Sequence, residues 1–256
     1  MRIGVLGVGA LTEAIVTGVQ KSKSPYSWCL SPRSAFRVER LLSLPQVSVA
    51  QDNQSVVDQC STVIIGVRPD DLQSLATQIK LTSDHHLLCL AAGVHLETLQ
   101  KMFYPAKVTR MMASIAAEYP GASVFFFPKD LQLSTCFSNA GFGVQSFTTE
   151  LQFEASMLSV CVNAWWLDQV HALAQTFADE TGMPLAEAVE LLARAQQESV
   201  TLLKERRQTT PTVLAREIGT PGTFTARGLY HLKERQAEKP WVDILSQLLK
   251  ELKSKE

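Results

Sequence analysis

The sequence predicts a doubly wound α/β N-terminal half followed by an all-α C-terminal half. Three observations carry this. Short, solidly apolar runs alternate with helical patterns over residues 1–148. Strand signals then stop, and residues 149–256 read as helices throughout. The chain also opens on a strand–turn–helix that carries closely spaced glycines. The expected domains are therefore residues 1–148 and 149–256.

Strands are expected at residues 2–7, 27–30, 62–67, 87–91, 107–112, 123–127 and 143–147. Runs such as Val63-Ile64-Ile65-Gly66-Val67 are apolar at every position, as in a strand buried on both faces of a parallel sheet. Between the strands, Leu11, Ala14, Ile15 and Val19 share one helical face, as do Leu96, Leu99 and Phe103. Residues 153–181 read as one long helix or two adjoining ones, stopped by Gly182 and Pro184. Another long helix spans 185–207, with Val189, Leu192, Gln196, Val200 and Leu203 along one stripe. Pro211 opens a short helix, residues 219–222 form a turn, 225–237 are helical, and Pro240 starts the last helix. The apolar stripes of this half favour packing on a second copy of the chain.

The composition is that of a globular protein: 256 residues, 46% hydrophobic and 19% charged. A net charge of −1 gives no general attraction to nucleic acid or to an anionic membrane. No secretory signal or membrane-length apolar stretch is read, so a cytoplasmic location is expected. The five cysteines are scattered and form no CxxC pair, which predicts buried thiols. The histidines show no metal-ligand spacing, so no metal site is expected.

The most informative stretch is Gly4-Val5-Leu6-Gly7-Val8-Gly9-Ala10-Leu11-Thr12. Gly7 permits a tight turn. Gly9 has no Cβ, so backbone can approach a pyrophosphate there. The amides that open the next helix point at the anion. This predicts a Rossmann-type dinucleotide site over Gly7, Val8, Gly9, Ala10 and Leu11. Thr12 stands at the third fingerprint position, where Gly or Ala is usual. The second strand ends in Ser31-Pro32-Arg33-Ser34, with no acid to hold a ribose 2′-hydroxyl. Ser31, Arg33 and Ser34 instead offer donors to a 2′-phosphate. NADP(H) is the expected cofactor, with NAD(H) as the alternative.

Four further pieces carry a family resemblance. The opening strand and helix continue through Glu13-Ala14-Ile15. Gly66-Val67-Arg68-Pro69 follows the third long strand. Ala91-Ala92-Gly93-Val94 precedes a Leu-rich helix. Thr220-Pro221-Gly222-Thr223-Phe224-Thr225-Ala226-Arg227-Gly228-Leu229 opens a C-terminal helix. In this order the chain resembles pyrroline-5-carboxylate reductase, whose corresponding motifs are Ala-Val-Lys-Pro, Ala-Ala-Gly-Val and Ser-Pro-Gly-Gly-Thr-Thr. The resemblance implies a Rossmann domain with a helical dimerisation domain, assembled as a homodimer or larger. It implies NADPH-dependent reduction of a cyclic imine acid, pyrroline-5-carboxylate to proline. It adds Val67, Arg68, Pro69, Ala92 and Gly93 to the cofactor set. Gly222 and Thr223 would hold the substrate carboxylate by backbone amides, and Thr225 would act as the hydroxyl beside the ring nitrogen. Read from local sequence alone, Thr225 is rather an N-cap of the following helix, a role that does not exclude the first.

Departures open a second reading. Arg110 and Met112 match the family, but its Pro-Asn-Thr-Pro, a loop beside nicotinamide and substrate, is here Ala113-Ser114-Ile115-Ala116. Ala10 replaces an Asn, and Thr223 and Phe224 replace smaller residues. The alternative is a homologue that binds NADP(H), is catalytically impaired, and serves as a regulatory or interaction protein. A β-hydroxyacid dehydrogenase would need a lysine on the first long helix, and residues 153–181 contain none.

Overall fold

The computed structural model describes residues 1–253. The chain divides into two compact units, whose main spans are Met1–Val160 and Cys161–Glu251.

The first unit is built on an eight-stranded sheet. Its strands are β1 (Arg2–Leu6), β2 (Ser27–Leu30), β3 (Val47–Val49), β4 (Thr62–Ile65), β5 (His86–Cys89), β6 (Lys107–Ala113), β7 (Ser123–Phe127) and β8 (Gly143–Ser146). Their spatial order is β3-β2-β1-β4-β5-β6-β7-β8. Every pairing is parallel except β6 with β7. The order reverses at β1, between β2 and β4, which is the crevice where doubly wound sheets bind ligands. Helices α1 (Ala10–Lys21), α2 (Ala35–Leu42), α3 (Asn53–Gln59), α4 (Leu72–Gln78), α5 (Leu96–Met102) and α6 (Leu131–Asn139) connect the strands.

Both faces of the sheet are buried, which is why its strands read as unbroken apolar runs. One apolar cluster gathers Val5, Ile15, Trp28, Ile64, Leu88 and Phe126. The other gathers Leu6, Val56, Ile65, Leu87, Leu99 and Phe103. Cys29, Cys60 and Cys89 lie in the second cluster. Burial pushes the Cys60 thiol up to about 12 and also raises Cys89, so both stay protonated, as core thiols do.

The second unit is helical. Helix α7 runs unbroken over Glu150–Thr181, so its first turns belong to the first unit and the rest to the second. Then follow α8 (Leu185–Glu205), α9 (Pro211–Ile218), α10 (Phe224–Glu234) and α11 (Lys239–Lys253). Two expectations need correction. The strand β3 was not foreseen: it is only three residues long and follows Pro45 and a Gln46 with positive φ. Of the two alternatives for residues 153–181, the single long helix is the one observed. Helix α10 begins at Phe224 rather than Thr225. Among the described residues no helix is long and apolar enough to cross a membrane, and no group of three His, Cys, Asp or Glu is placed to hold a metal ion.

Candidate functional site

The loops predicted to bind a cofactor leave the carboxyl ends of β1, β2, β4 and β5, which are neighbours in the sheet. Three of them touch. Gly7 has φ +90°, and a Cβ there would lie 2.8 Å from Val67 Cγ1. The Gly66 amide donates to the Leu6 carbonyl at 2.8 Å. The Gly7 amide donates to the Ser31 hydroxyl at 3.1 Å. Val67 is half-buried against this turn, while Arg68 and Pro69 are exposed beyond it.

Thr12 explains how the turn tolerates a side chain at the third fingerprint position. Its hydroxyl accepts from the Gly9 amide at 2.9 Å and lies 3.0 Å from the Gly7 carbonyl, where it can donate. Its methyl fills the space above Gly66: a Cβ at Gly66 would sit 2.3 Å from Thr12 Cγ2. Thr12 and Gly66 are a size-matched pair.

The turn fits a diphosphate. A Cβ placed on Gly9 would meet nothing within 4 Å, so the space beside it is open. The first intrahelical bond of α1 runs from the Glu13 amide to the Gly9 carbonyl. The Ala10 and Leu11 amides lie ahead of it, at the positive end of the helix, without an intrahelical acceptor. Val8 is buried beneath the loop.

At the end of β2 the expected donors separate. Ser31 is fully buried and spends its hydroxyl on the Gly7 amide, so it braces the loop from behind and does not face a 2′-phosphate. Arg33 and Ser34 are exposed. Ser34 sits in the left-handed region at φ +69°, a conformation costing about 1 kcal/mol or more for a residue with a Cβ. Arg33 lines a crevice of ≈ 120 Å³ with Asn53, Val67, Asp71, Ser74 and Gln78. Asn53 was not foreseen. It follows Asp52, whose side chain caps α3 by accepting from the Ser55 amide at 2.7 Å, and the only sequence signal was the strand that went unread.

Beyond β5, Ala92 is half-buried and Gly93 is exposed at φ +70°. The altered loop after β6 folds as a 3-10 turn, Ile115–Glu118, capped by the Ser114 hydroxyl. It lies hard against α1: a Cβ at Gly18 would fall 1.8 Å from the Ala117 carbonyl oxygen. Ala10, Thr17, Arg37, Ile115, Ala116 and Tyr119 are among the residues lining a groove of ≈ 710 Å³ along this seam. Position 10 and the altered loop therefore share one cavity.

Gly222, Thr223 and Thr225 lie in the second unit, at the start of α10. The cap of α10 is Thr223, not Thr225. Its hydroxyl accepts from the Ala226 amide at 3.1 Å and donates to the Thr220 carbonyl at 2.8 Å. Thr225 is one position inside the helix, exposed, and its hydroxyl has no hydrogen-bond partner among the described residues. The Thr223 amide is spent on the Thr220 carbonyl. The amides that precede the helix's own ladder are those of Phe224 and Thr225. Phe224 is 85% exposed, and the Arg227 guanidinium lies 4.5 Å from its ring centre.

The parallel sheet, the open glycine turn at its switch point and the appended helical unit define a class, the Rossmann-domain NAD(P) oxidoreductases. Residues 2–93 match a family model described as NADP oxidoreductase, coenzyme F420-dependent. Residues 150–254 match one described as pyrroline-5-carboxylate reductase dimerisation. Pyrroline-5-carboxylate reductase 3 of Xenopus laevis is 26% identical over 251 residues, covering 91% of this chain and 88% of its own. The Methanosarcina acetivorans pyrroline-5-carboxylate reductase is 25% identical, covering 91% and 90%. The structure of the Plasmodium falciparum pyrroline carboxylate reductase with NADP bound shares the fold at a TM-score of 0.85 and 17% identity, over 100% of this chain and 98% of that one. The Streptococcus pyogenes enzyme does so at 0.80 and 21%, over 99% and 98%. Residues 150–254 thus carry the pyrroline-5-carboxylate reductase dimerisation domain, and over most of its length the chain is similar to pyrroline-5-carboxylate reductases.

Proposed function

We propose that this protein reduces a cyclic imine acid, pyrroline-5-carboxylate to proline, with a nicotinamide dinucleotide held by its first unit. The observation that carries the reading is the open turn at Gly9, backed by the Ala10 and Leu11 amides at the sheet's switch point. NADP(H) is favoured over NAD(H) because the end of β2 presents Arg33 and Ser34 to solvent and no carboxylate.

The bound dinucleotide would supply a hydride to the imine carbon. The chain's own tasks are modest, because a protonated imine is already electrophilic. Val67 and Arg68 would flank the cofactor's diphosphate, and Ala92 and Gly93 would border its nicotinamide half. The Phe224 and Thr225 amides, at the N-terminus of α10, would hold the substrate carboxylate. The Thr225 hydroxyl would orient the ring nitrogen and keep its proton in place. Gly222 at φ +88° makes the turn that aims these groups. The chain would act as a homodimer or larger assembly through its second unit.

The second reading, a cofactor-binding homologue with impaired catalysis, is favoured by one observation. The bulky Phe224 and its stacked Arg227 stand on the substrate turn itself. Turnover of pyrroline-5-carboxylate with NADPH separates the two. The expected result is measurable reduction, cut by about a hundredfold or more in kcat by Thr225→Ala. Thr223→Ala should instead cost about 1 kcal/mol of stability through the lost cap, with a far smaller effect on kcat. Tight NADPH binding without reduction of any cyclic imine would establish the second reading.

A further inference from the structure

Helix α5 starts directly after the loop that carries Ala92 and Gly93, yet it has no cap of its own. Its N-cap residue, His95, makes no side-chain cap bond. The cap comes from elsewhere. Glu150, the first residue of α7, accepts the Leu96 amide on Oε1 at 2.7 Å, across 54 residues of sequence. Its Oε2 is 3.6 Å from His95 Nδ1. A carboxylate here also complements the positive end of α5.

Glu150 is itself held. The same Oε1 accepts from Arg110 Nη1 at 2.7 Å. Arg110 stands on β6 beside Cys89, at the carboxyl end of the sheet, and is 1% exposed. Its Nη2 pairs with the buried Glu154, and its guanidinium lies 4.8 Å from the centre of the Phe153 ring. Two carboxylates and a ring face hold the guanidinium in place. The chain from Cys89 to Leu96 is therefore tied at both ends, by the β5 ladder and by the Glu150 carboxylate.

This placement matters for the cofactor. A dinucleotide at the switch point spans both sides of β1. The β2 side takes the adenine ribose, so the β4–β5 side takes the nicotinamide half. We infer that Glu150, locked by Arg110, is a positioning residue that fixes the 91–95 loop against the nicotinamide half of the cofactor. The inference rests on the cofactor reading above.

Two ligands and three variants test it by calorimetry. NADPH spans both halves of the site; adenosine 2′,5′-bisphosphate reaches only the adenine half. Glu150→Ala, and Glu150→Asp as the variant that keeps the charge for Arg110 but falls short of Leu96, should weaken NADPH about tenfold. Both should leave the bisphosphate within about twofold. Glu150→Gln still offers an oxygen to the Leu96 amide and should bind NADPH nearly as the parent does. Hydrogen exchange at the Leu96 amide should quicken in the Ala and Asp variants and not in Gln. Equal losses for the two ligands, or unchanged NADPH affinity with a faster Leu96 amide, would overturn the inference. A parent protein that binds neither ligand would overturn the cofactor reading and this inference with it.

Discussion

The two units spend similar apolar sequence in opposite ways. The first closes on itself: both faces of its sheet are covered, and residues such as Val5, Ile15, Trp28 and Phe126 have no appreciable exposure. In the second, Val170, Ala174, Ala188 and Leu214 are the only buried hydrophobic residues among those described. Leu167 is 70% exposed, and Trp166, Leu191, Val200 and Leu203 are open as well. The difference teaches that the units were shaped for different partners. A surface this apolar on a helical unit needs a protein covering, whereas the first unit leaves open a glycine turn whose amides suit an anion.

The largest expected effect breaks the comparison at the second unit. On the proposed homodimer, Val200→Asp would put two charges into a twofold interface and should weaken self-association at least about a hundredfold, read by sedimentation. The first unit should keep its cofactor affinity. If the parent protein were monomeric at high concentration, the contrast drawn above would fail.

A smaller effect sharpens the comparison within the first unit. Gly66→Ala drives a methyl into Thr12 Cγ2 and should cost about 1–3 kcal/mol in a denaturant melt. Adding Thr12→Ser, which removes the methyl and keeps the hydroxyl, should recover part of that cost. Additive losses in the double variant would show that the two side chains are not a matched pair.

Much of the first unit was legible because parallel strands buried on both faces need apolar residues at every position, a pattern that survives without any alignment. The short edge strand Val47–Val49 lacks that pattern, and its loss also hid Asn53. The position of the glycine turn was legible from its spacing. The duty of Ser31 was not, because burial behind a loop leaves no mark on local sequence. Thr223 and Thr225 illustrate a different limit. Either suits a helix start, and only the observed first turn of α10 shows that Thr223 takes the cap and leaves the Thr225 hydroxyl unspent. Glu150 was invisible for a third reason. Its partners, Leu96 and Arg110, are distant in sequence, and a lone acid at a helix start looks like ordinary dipole compensation.

Calorimetric titration of NADPH into the parent protein and into Gly9→Ala tests the central claim most directly. Gly9 has an ordinary φ of −94° and open space around it, so alanine should cost the fold no more than about 1 kcal/mol. The account predicts binding by the parent and a loss of about a hundredfold in the variant, whose methyl occupies the diphosphate's place. Equal affinity in the two proteins, or no heat from the parent, would contradict it.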